Sequence, residues 1–495
     1  MADHNDNAIL FEKAVALQNR GAFTEALAIW ELLVRHAPPF AEVFQNHAVV
    51  LTALGRDAEA LVSYDHASTL KPSDVALHFA KALSQQRIGL LEAAISSYDR
   101  VLQLEPTNAA AHYGKGTALQ RLDRLEEALG SYDQAIHLDP KHAMAHNNRG
   151  TVLLRLGMPE EALRSYDLFE KLAPGIPEGQ LNKASCNLLM GQFETGWPQY
   201  EARKTFITPA VNLIAGRSIW SGDIPLDGKT LLLHAEQGLG DTIQFCRYAA
   251  LAVERGATVI LSAPGKIKRL LESFARRIDV VDNGRAPPPC DFQSMLLSMP
   301  LAFRTTEKTI PSFVPYLRGE PDRVRVWRDR IGQQGFRVGI AWQGDPQSAM
   351  DLGRSFPLSL FKRISQIEGV RLISLQKFDG AEQLLDLPPG LSVENLSDEL
   401  DPGPDAFLDS AAIIENLDLV ISSDSAIAHL AGALGRPVWV ALQHVSDWRW
   451  MLERSDSPWY PTMRLFRQPH KGDWHSVFED IAAALHSELP QPPLP

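Results

Sequence analysis

Three polar loops carry side chains suited to moving a group between two substrates. In HAEQGLGDTIQF, residues 234–245, Glu236 and Asp241 are carboxylates within one short turn, and either can take a proton from a hydroxyl. Asp241 also stands where an aspartate caps a helix, so the same residue has a purely structural reading. In DLVISSDSAIAHLAGALG, residues 418–435, Asp424 and Ser425 open a small-residue helix, and His429 lies one turn further along the same face. Free N–H groups at such a helix start, a hydroxyl and an imidazole form a set that can hold a diphosphate, with helix capping and a core histidine as the alternatives. In AWQGDPQSAMDLGRSFPLSLF, residues 341–361, Arg354 offers a forked cation for two phosphate oxygens. Lys377, after the next strand, is a second candidate cation; both can also be ordinary surface charges. Gln343 and Gln376 have amides able to read a base or sugar.

Each loop follows an apolar run that reads as a strand. Thr230–His234, Thr258–Ser262 and Arg277–Val281 alternate with helical segments at about 242–254 and 266–274. A second series follows, with strands at Arg337–Trp342, Arg371–Gln376, Leu419–Ser422, Pro437–Ala441 and Arg464–Phe466. Helices are expected there at about 358–368, 406–416, 425–435 and 475–489. Strand–helix alternation with nearly continuous apolar strands predicts parallel sheets covered on both faces. Two such domains in series place ligands in a cleft at the carboxyl ends of their strands. GLGD is not GxGxxG and no acidic residue follows at the next strand end, so a dinucleotide fingerprint is rejected.

The preceding segment has a different period. Pro38, Pro72, Pro106, Pro140 and Pro174 stand 34 residues apart, as do Ala26, Ala60, Ala94, Ala128 and Ala162. Trp30, Tyr64, Tyr98, Tyr132 and Tyr166 form a third column, and Gly21, Gly55, Gly89 and Gly157 mark turns, with Asp123 replacing glycine once. That period defines tetratricopeptide repeats, each a helical hairpin whose apolar faces are buried by stacking neighbours. A worn sixth unit at 177–204 keeps Gly191, Gly196 and Tyr200 in register. Asn46, Asn148 and Asn182 share one position of the first helix, where an amide can grip an extended peptide or simply tolerate a crowded site. His78, His112 and His146 recur at the same period, and repeat geometry accounts for them better than metal binding does.

The chain of 495 residues, 45% hydrophobic and 22% charged, has the composition of a soluble globular protein. A net charge of -12 argues against general nucleic-acid binding. Cys186, Cys246 and Cys290 are too scattered for a disulfide framework, and a reducing compartment fits them. The opening MADHNDNAILFEK lacks the basic segment and apolar core of a signal peptide, and no apolar stretch reaches membrane-spanning length. A cytoplasmic protein is expected, with peripheral attachment at the inner face of the membrane left open.

Taken together, the loops resemble bacterial tetratricopeptide-repeat glycosyltransferases related to glycosyltransferase family 9, the lipopolysaccharide heptosyltransferases. The resemblance covers roughly residues 180–480 and is carried by EQGLGDTIQF, DLVISSDSAIAHLAGALGRPVWV and DWRWMLERSDSPWYPTMRLFRQ. The order of repeats before a two-domain catalytic unit also resembles O-linked N-acetylglucosamine transferase, as does the asparagine column. By this resemblance Gly240-Asp241 matches the family's Gly-Asp step, whose aspartate is the general base, and Asp424, Ser425 and Ala426 match its Asp-Thr-Gly, with His429 at the following histidine. Ala426 departs from glycine. Arg354-Ser355-Phe356-Pro357 stands where the family has Lys-x-Trp-Pro, keeping the cation and losing the tryptophan.

The resemblance implies an α-solenoid followed by a GT-B fold of two Rossmann-like domains facing a cleft. The expected boundaries are 1–208 for the solenoid, 209–325 for the acceptor-side domain and 326–495 for the nucleotide-sugar domain. It implies an inverting glycosyltransferase that needs no metal or other catalytic cofactor and uses a nucleotide-sugar of unspecified base and sugar. The partners expected are that donor and a protein acceptor held by the solenoid at Asn46, Asn148 and Asn182, with flagellin or another surface protein as the type. A glycolipid or saccharide acceptor, an epimerase, and a non-catalytic scaffold are the alternatives. No DxD element is conspicuous in the donor loops, and Asp401 and Asp405 are weak metal candidates.

Overall fold

The computed structural model describes residues 2–38, 40–207, 213–274, 278–346 and 353–489. The chain divides into two compact units, Met1–Gly179 and Gln180–Pro495. The first consists of helical hairpins: α1 (Ala2–Asn19) with α2 (Phe23–His36), α3 (Ala41–Ala53) with α4 (Asp57–Leu70), and α5 (Val75–Arg87) with α6 (Leu91–Leu104). These continue as α7 (Ala109–Arg121) with α8 (Leu125–Leu138) and α9 (Ala143–Arg155) with α10 (Pro159–Leu172). The division falls inside α11 (Pro177–Leu189), which pairs in sequence with α12 (Phe193–Tyr200) as the sixth hairpin.

The repeat columns have distinct physical jobs. Tyr98 and Tyr132 are fully buried, and Gly114 and Gly116 leave room for them: a Cβ at Gly114 would meet the Tyr98 ring at 2.4 Å, one at Gly116 the Tyr132 ring at 2.7 Å. Their hydroxyls donate to Gln86 Oε1 at 2.9 Å and Gln120 Oε1 at 2.7 Å. The histidine column is a clasp: Nε2 of His78, His112 and His146 lies 3.0, 3.2 and 3.1 Å from the carbonyl oxygens of Pro72, Pro106 and Pro140. A carbonyl only accepts, so each ring donates Nε2–H, tying a helix to the turn before it. A further column, absent from the motif reading, joins successive hairpins: Lys81–Asp65 at 2.5 Å, Lys115–Asp99 at 2.6 Å and Arg149–Asp133 at 2.6 Å. These pairs are partly exposed and contribute about 0.2–1 kcal/mol each.

The second unit contains two parallel sheets. The first has β1 (Thr230–His234), β2 (Thr258–Ala263), β3 (Ile278–Asp282) and β4 (Phe292–Met295) in the order β3-β2-β1-β4. The second has β5 (Phe336–Ala341), β6 (Val370–Ser374), β7 (Leu419–Ser423), β8 (Val438–Leu442) and β9 (Met463–Arg467) in the order β6-β5-β7-β8-β9. Strand order reverses beside β1 in one sheet and between β5 and β7 in the other. Loops leaving the carboxyl ends of strands at such reversals are where open α/β sheets bind ligands. The three polar loops follow β1, β5 and β7.

Two helices differ from expectation. The helix expected from about Thr242 begins at Leu239, breaks after Phe245 and resumes as Tyr248–Glu254. At the break, buried Arg247 takes the Gln244 carbonyl at 2.7 Å and also reaches Pro311 O, Trp459 O and the Tyr316 hydroxyl. One guanidinium thereby joins the first sheet's leading helix, the 311–316 strap and the 459–460 turn. The segment expected as a helix over 358–368 is a short 3-10 turn, Leu358–Phe361, followed by one α turn, Lys362–Ser365. Phe356 and Phe361 are drawn into the core of the second sheet against Phe478.

Candidate active site

Asp241 lies in the first turn of Leu239–Phe245 rather than ahead of the helix. Its Oδ2 accepts the Gly238 N–H at 2.9 Å, while its Oδ1 accepts from Arg449 Nη2. The positive φ in this turn falls on Gln237, at 65°, and not on either glycine. Gly240 is needed for another reason: a Cβ there would stand 3.2 Å from His429 Cδ2 and 3.5 Å from Ala426 Cα. The helix after β1 therefore crosses Ala426–Ala433, the helix after β7, at close range, bringing Asp241, His429 and Asp424 into one region.

Arg449 organises that region. Its Nε donates to Gln244 Oε1 at 2.8 Å and its Nη1 to Asp447 Oδ1 at 2.8 Å, and its guanidinium lies 4.3 Å over the Trp448 ring. Burial opposes its charge, but Asp447 and Asp241 keep it firmly protonated. Burial also pushes the Asp241 carboxyl up, and Arg449, the Gly238 N–H and the charge of Arg354 hold it back. Asp424 is buried beside Asp447, and burial with that neighbouring carboxylate raises it to about 6. His429 is forced well below its ordinary value by burial and by Arg449, Arg247 and Arg354, and is neutral at physiological pH. Its Nδ1 lies 3.0 Å from the Tyr460 hydroxyl, and its ring stacks on Trp450 at 5.4 Å. Half-buried Arg354 thus acts electrostatically on Asp241, Asp424 and His429 together. Ser425, at the start of Ala426–Ala433, lies with its Oγ 3.0 Å from Ser422 Oγ.

The other sequence candidates have different surroundings. Glu236 is almost completely buried, with Arg203 Nη2 at 2.8 Å and the N–H groups of Leu296 and Leu297 at 3.0 and 3.2 Å. Burial raises its carboxyl, and the ion pair with Arg203 opposes the rise. This bonding makes Glu236 an anchor between the end of the sixth hairpin and the turn after β4. Replacing Arg203 with methionine leaves that carboxylate unpaired, with an expected loss of about 3–5 kcal/mol in urea unfolding. Adding Glu236→Gln to the same chain should recover much of it. Gln376 bridges the N–H groups of Trp342 and Gln343 and the carbonyls of Gln343 and Asp379. Its amide is spent on joining the loops after β5 and β6, and Gln343 is one of the groups it holds. Lys377 donates to the Asp401 carbonyl, and its Nζ lies 5.0 Å from the Phe378 ring centre. The Asp401 carboxylate accepts from Asp409 N at 2.6 Å and Ser410 Oγ at 2.6 Å, capping Leu408–Glu415, while Asp405 faces Arg269 at 3.5 Å. Residues 347–352, between Gln343 and Arg354, lie outside the described residues.

The asparagine column is not a repeated contact. Asn46 donates to Glu42 O at 2.9 Å and accepts from Gln18 at 3.3 Å. Asn148 donates toward the Tyr113 and Tyr132 hydroxyls at 3.3 and 3.4 Å. Asn182 belongs to the other compact unit.

The Asp424 shift has a consequence for stability. A carboxyl raised from 3.8 to about 6 means that the folded chain binds a proton more tightly than the unfolded one. The corresponding stability is complete near pH 4 and is lost as pH rises through about 6. Asp424→Asn should therefore be more stable than the parent above that pH, by about 1–3 kcal/mol, with the gain vanishing near pH 4 in parallel denaturant titrations.

The fold defines a helical-repeat unit and a pair of parallel α/β sheets, with a largely buried ionic site where the helix after β1 meets the helix after β7. Residues 79–139 and 113–177 match the model of the tetratricopeptide repeat, and residues 365–447 match glycosyltransferase family 9 (heptosyltransferase). The chain thus carries tetratricopeptide repeats and a glycosyltransferase family 9 domain. The matched segment includes Lys377, Asp424, Ser425, Ala426, His429 and Asp447, while Asp241, Arg354 and Arg449 lie outside it. The chain is homologous to Protein FlbA of Caulobacter vibrioides, with 28% identity over 331 residues, covering 62% of this chain and 54% of the relative. It spans about half the length of that curated relative. Among solved structures, MamA 41-end from Desulfovibrio magneticus RS-1 is similar at 22% identity and a TM-score of 0.33, covering 34% of this chain and 94% of that one. YrrB, a tetratricopeptide-repeat protein, is similar at 20% identity and a TM-score of 0.32, covering 36% and 91%.

Proposed function

We propose that the protein is an inverting glycosyltransferase of GT-B type that moves a sugar from a nucleotide-sugar to a protein acceptor. The observation that carries this reading is the meeting of Asp241, from the loop after β1, with Asp424 and His429, from the loop after β7, across the Gly240 contact. One carboxylate stands on the side of the first sheet, and a helix start with a neutral imidazole stands on the side of the second.

In this mechanism the acceptor hydroxyl loses its proton to Asp241 as its oxygen attacks the anomeric carbon. The bond from that carbon to the diphosphate oxygen breaks, and the nucleoside diphosphate leaves with the electron pair. Arg354, Ser425 and the first N–H groups of Ala426–Ala433 receive the new negative charge. Those groups are the support for a metal-independent reaction. Among the described residues no cluster of histidine, cysteine and carboxylate side chains is arranged to hold a metal ion. Among them too, no helix is long and apolar enough to cross a membrane. The repeats recruit the acceptor, for which flagellin or another surface protein is the type proposed.

The deciding experiment supplies UDP-, GDP-, ADP- and CMP-linked sugars with purified flagellin and with cell lysate, in excess chelator. Sugar transfer to protein is expected. Transfer to lipid would move the acceptor class, donor conversion without transfer would favour an epimerase, and dependence on added Mg²⁺ or Mn²⁺ would overturn metal independence. No turnover with any donor, in chelator or with added metal, would leave a scaffold.

A further inference from the structure

The sixth hairpin carries a tyrosine of the repeat column into different surroundings. Tyr98 and Tyr132 donate to glutamines twelve residues earlier, and Tyr166 reaches Thr151 Oγ1 at 3.2 Å. For Tyr200 the position twelve residues earlier is Leu188, and Ser185, which replaces Thr151 in register, donates instead to Leu181 O at 3.1 Å. Among the described residues nothing hydrogen-bonds the Tyr200 hydroxyl, although the residue is only 7% exposed. The hydroxyl oxygen is not one of the enclosed polar atoms that lack a partner, so it keeps a narrow opening to solvent.

The ring is placed firmly. It lies 5.7 Å from the Trp448 ring, which also meets Trp197 at 5.3 Å and carries the Arg449 guanidinium on its face at 4.3 Å. Arg203 lies 4.8 Å over the tyrosine ring and binds Glu236 in the Asp241 loop. Trp197 Nε1 donates to Thr305 O at 2.9 Å, which fixes α12 against the first sheet's domain. The charged groups whose fields reach Tyr200 are Arg449, Arg203, Asp241 and Asp447. A residue whose column neighbours serve only packing therefore stands, with a spare hydroxyl, among the groups around Asp241.

We propose that Tyr200 is an acceptor-binding residue, whose hydroxyl donates a hydrogen bond to an oxygen of the protein acceptor next to the hydroxyl that Asp241 deprotonates. The worn sixth repeat is then part of the transfer site as well as the end of the repeat series. The inference rests on the glycosyltransferase reading. Tyr200→Phe keeps the ring against Trp448 and removes only the unpartnered hydroxyl. It should raise KM for purified flagellin, or for the lysate protein labelled by the wild type, about 3–10-fold. Hydrolysis of the donor by water should stay within about twofold, because donor contacts are untouched.

A ligand-free measurement separates this role from packing. Tyr132→Phe, which loses bonded partners, should lower Tm by several degrees, whereas Tyr200→Phe should leave Tm unchanged. A Tm loss in Tyr200→Phe like that of Tyr132→Phe would overturn the proposal whatever the activity, and so would an unchanged acceptor KM in a wild-type-competent assay. A wild-type protein that turns over no donor would instead sink the glycosyltransferase reading and this inference with it.

Discussion

Replacing Asp241 with asparagine is expected to lower sugar transfer by about 10²–10⁴-fold while the donor binds with near-normal affinity. The substitution preserves shape, and the amide oxygen can still accept the Gly238 N–H that the carboxylate now holds at 2.9 Å. It removes the carboxylate proposed to take the acceptor proton and one partner of the Arg449 guanidinium. Arg449 retains Asp447 and Gln244, so the arginine stays in place and the loss is confined to proton transfer. Calorimetric titration with the nucleoside diphosphate and a turnover assay on the same preparation check both halves. Near-normal transfer by the variant would remove Asp241 as the base.

Much of the fold was legible because its signals are local. The runs TLLLH and LVIS are apolar without interruption, as strands buried on both faces must be, and β1 and β7 fall on them. The proline, alanine and tyrosine columns needed only counting. The Lys81, Lys115 and Arg149 column was equally countable, but a charged residue on a helix reads as solvated until its partner sixteen residues earlier is considered. The site was half legible. Asp241, Asp424 and His429 follow strand ends, where the topology directs attention, but Arg449 and Asp447 lie some two hundred residues from Asp241 in a segment of no period. DWRW shows an acidic and a basic residue flanking tryptophan, and nothing local says that the arginine reaches another domain. The ion-paired burial of Glu236 was closed to the sequence for the same reason. It depends on Arg203, which belongs to the helical hairpin before the sheet and engages Glu236 only once the chain is folded.

Arg449→Gln should have the second large effect, and its pH dependence identifies the cause. The arginine is the foremost influence opposing the effect of burial on Asp241, so its loss moves that carboxyl further upward. If Asp241 must be ionised to accept the proton, the acid limb of the kcat/KM profile shifts to higher pH, and activity lost at neutrality returns in part as pH rises. Stability should move in the opposite direction. Asp241 and Asp447, both partly buried, lose the cation between them, at a cost of about 1–3 kcal/mol near pH 7. The raised folded-state value of Asp241 means that this loss shrinks as pH falls and that carboxyl takes up a proton. Glutamine retains a hydrogen bond toward Gln244 or Asp447, so the change is chiefly one of charge. A variant with low activity but an unmoved acid limb would show that Arg449 only packs against Trp448, and that the acidity of Asp241 is set without it.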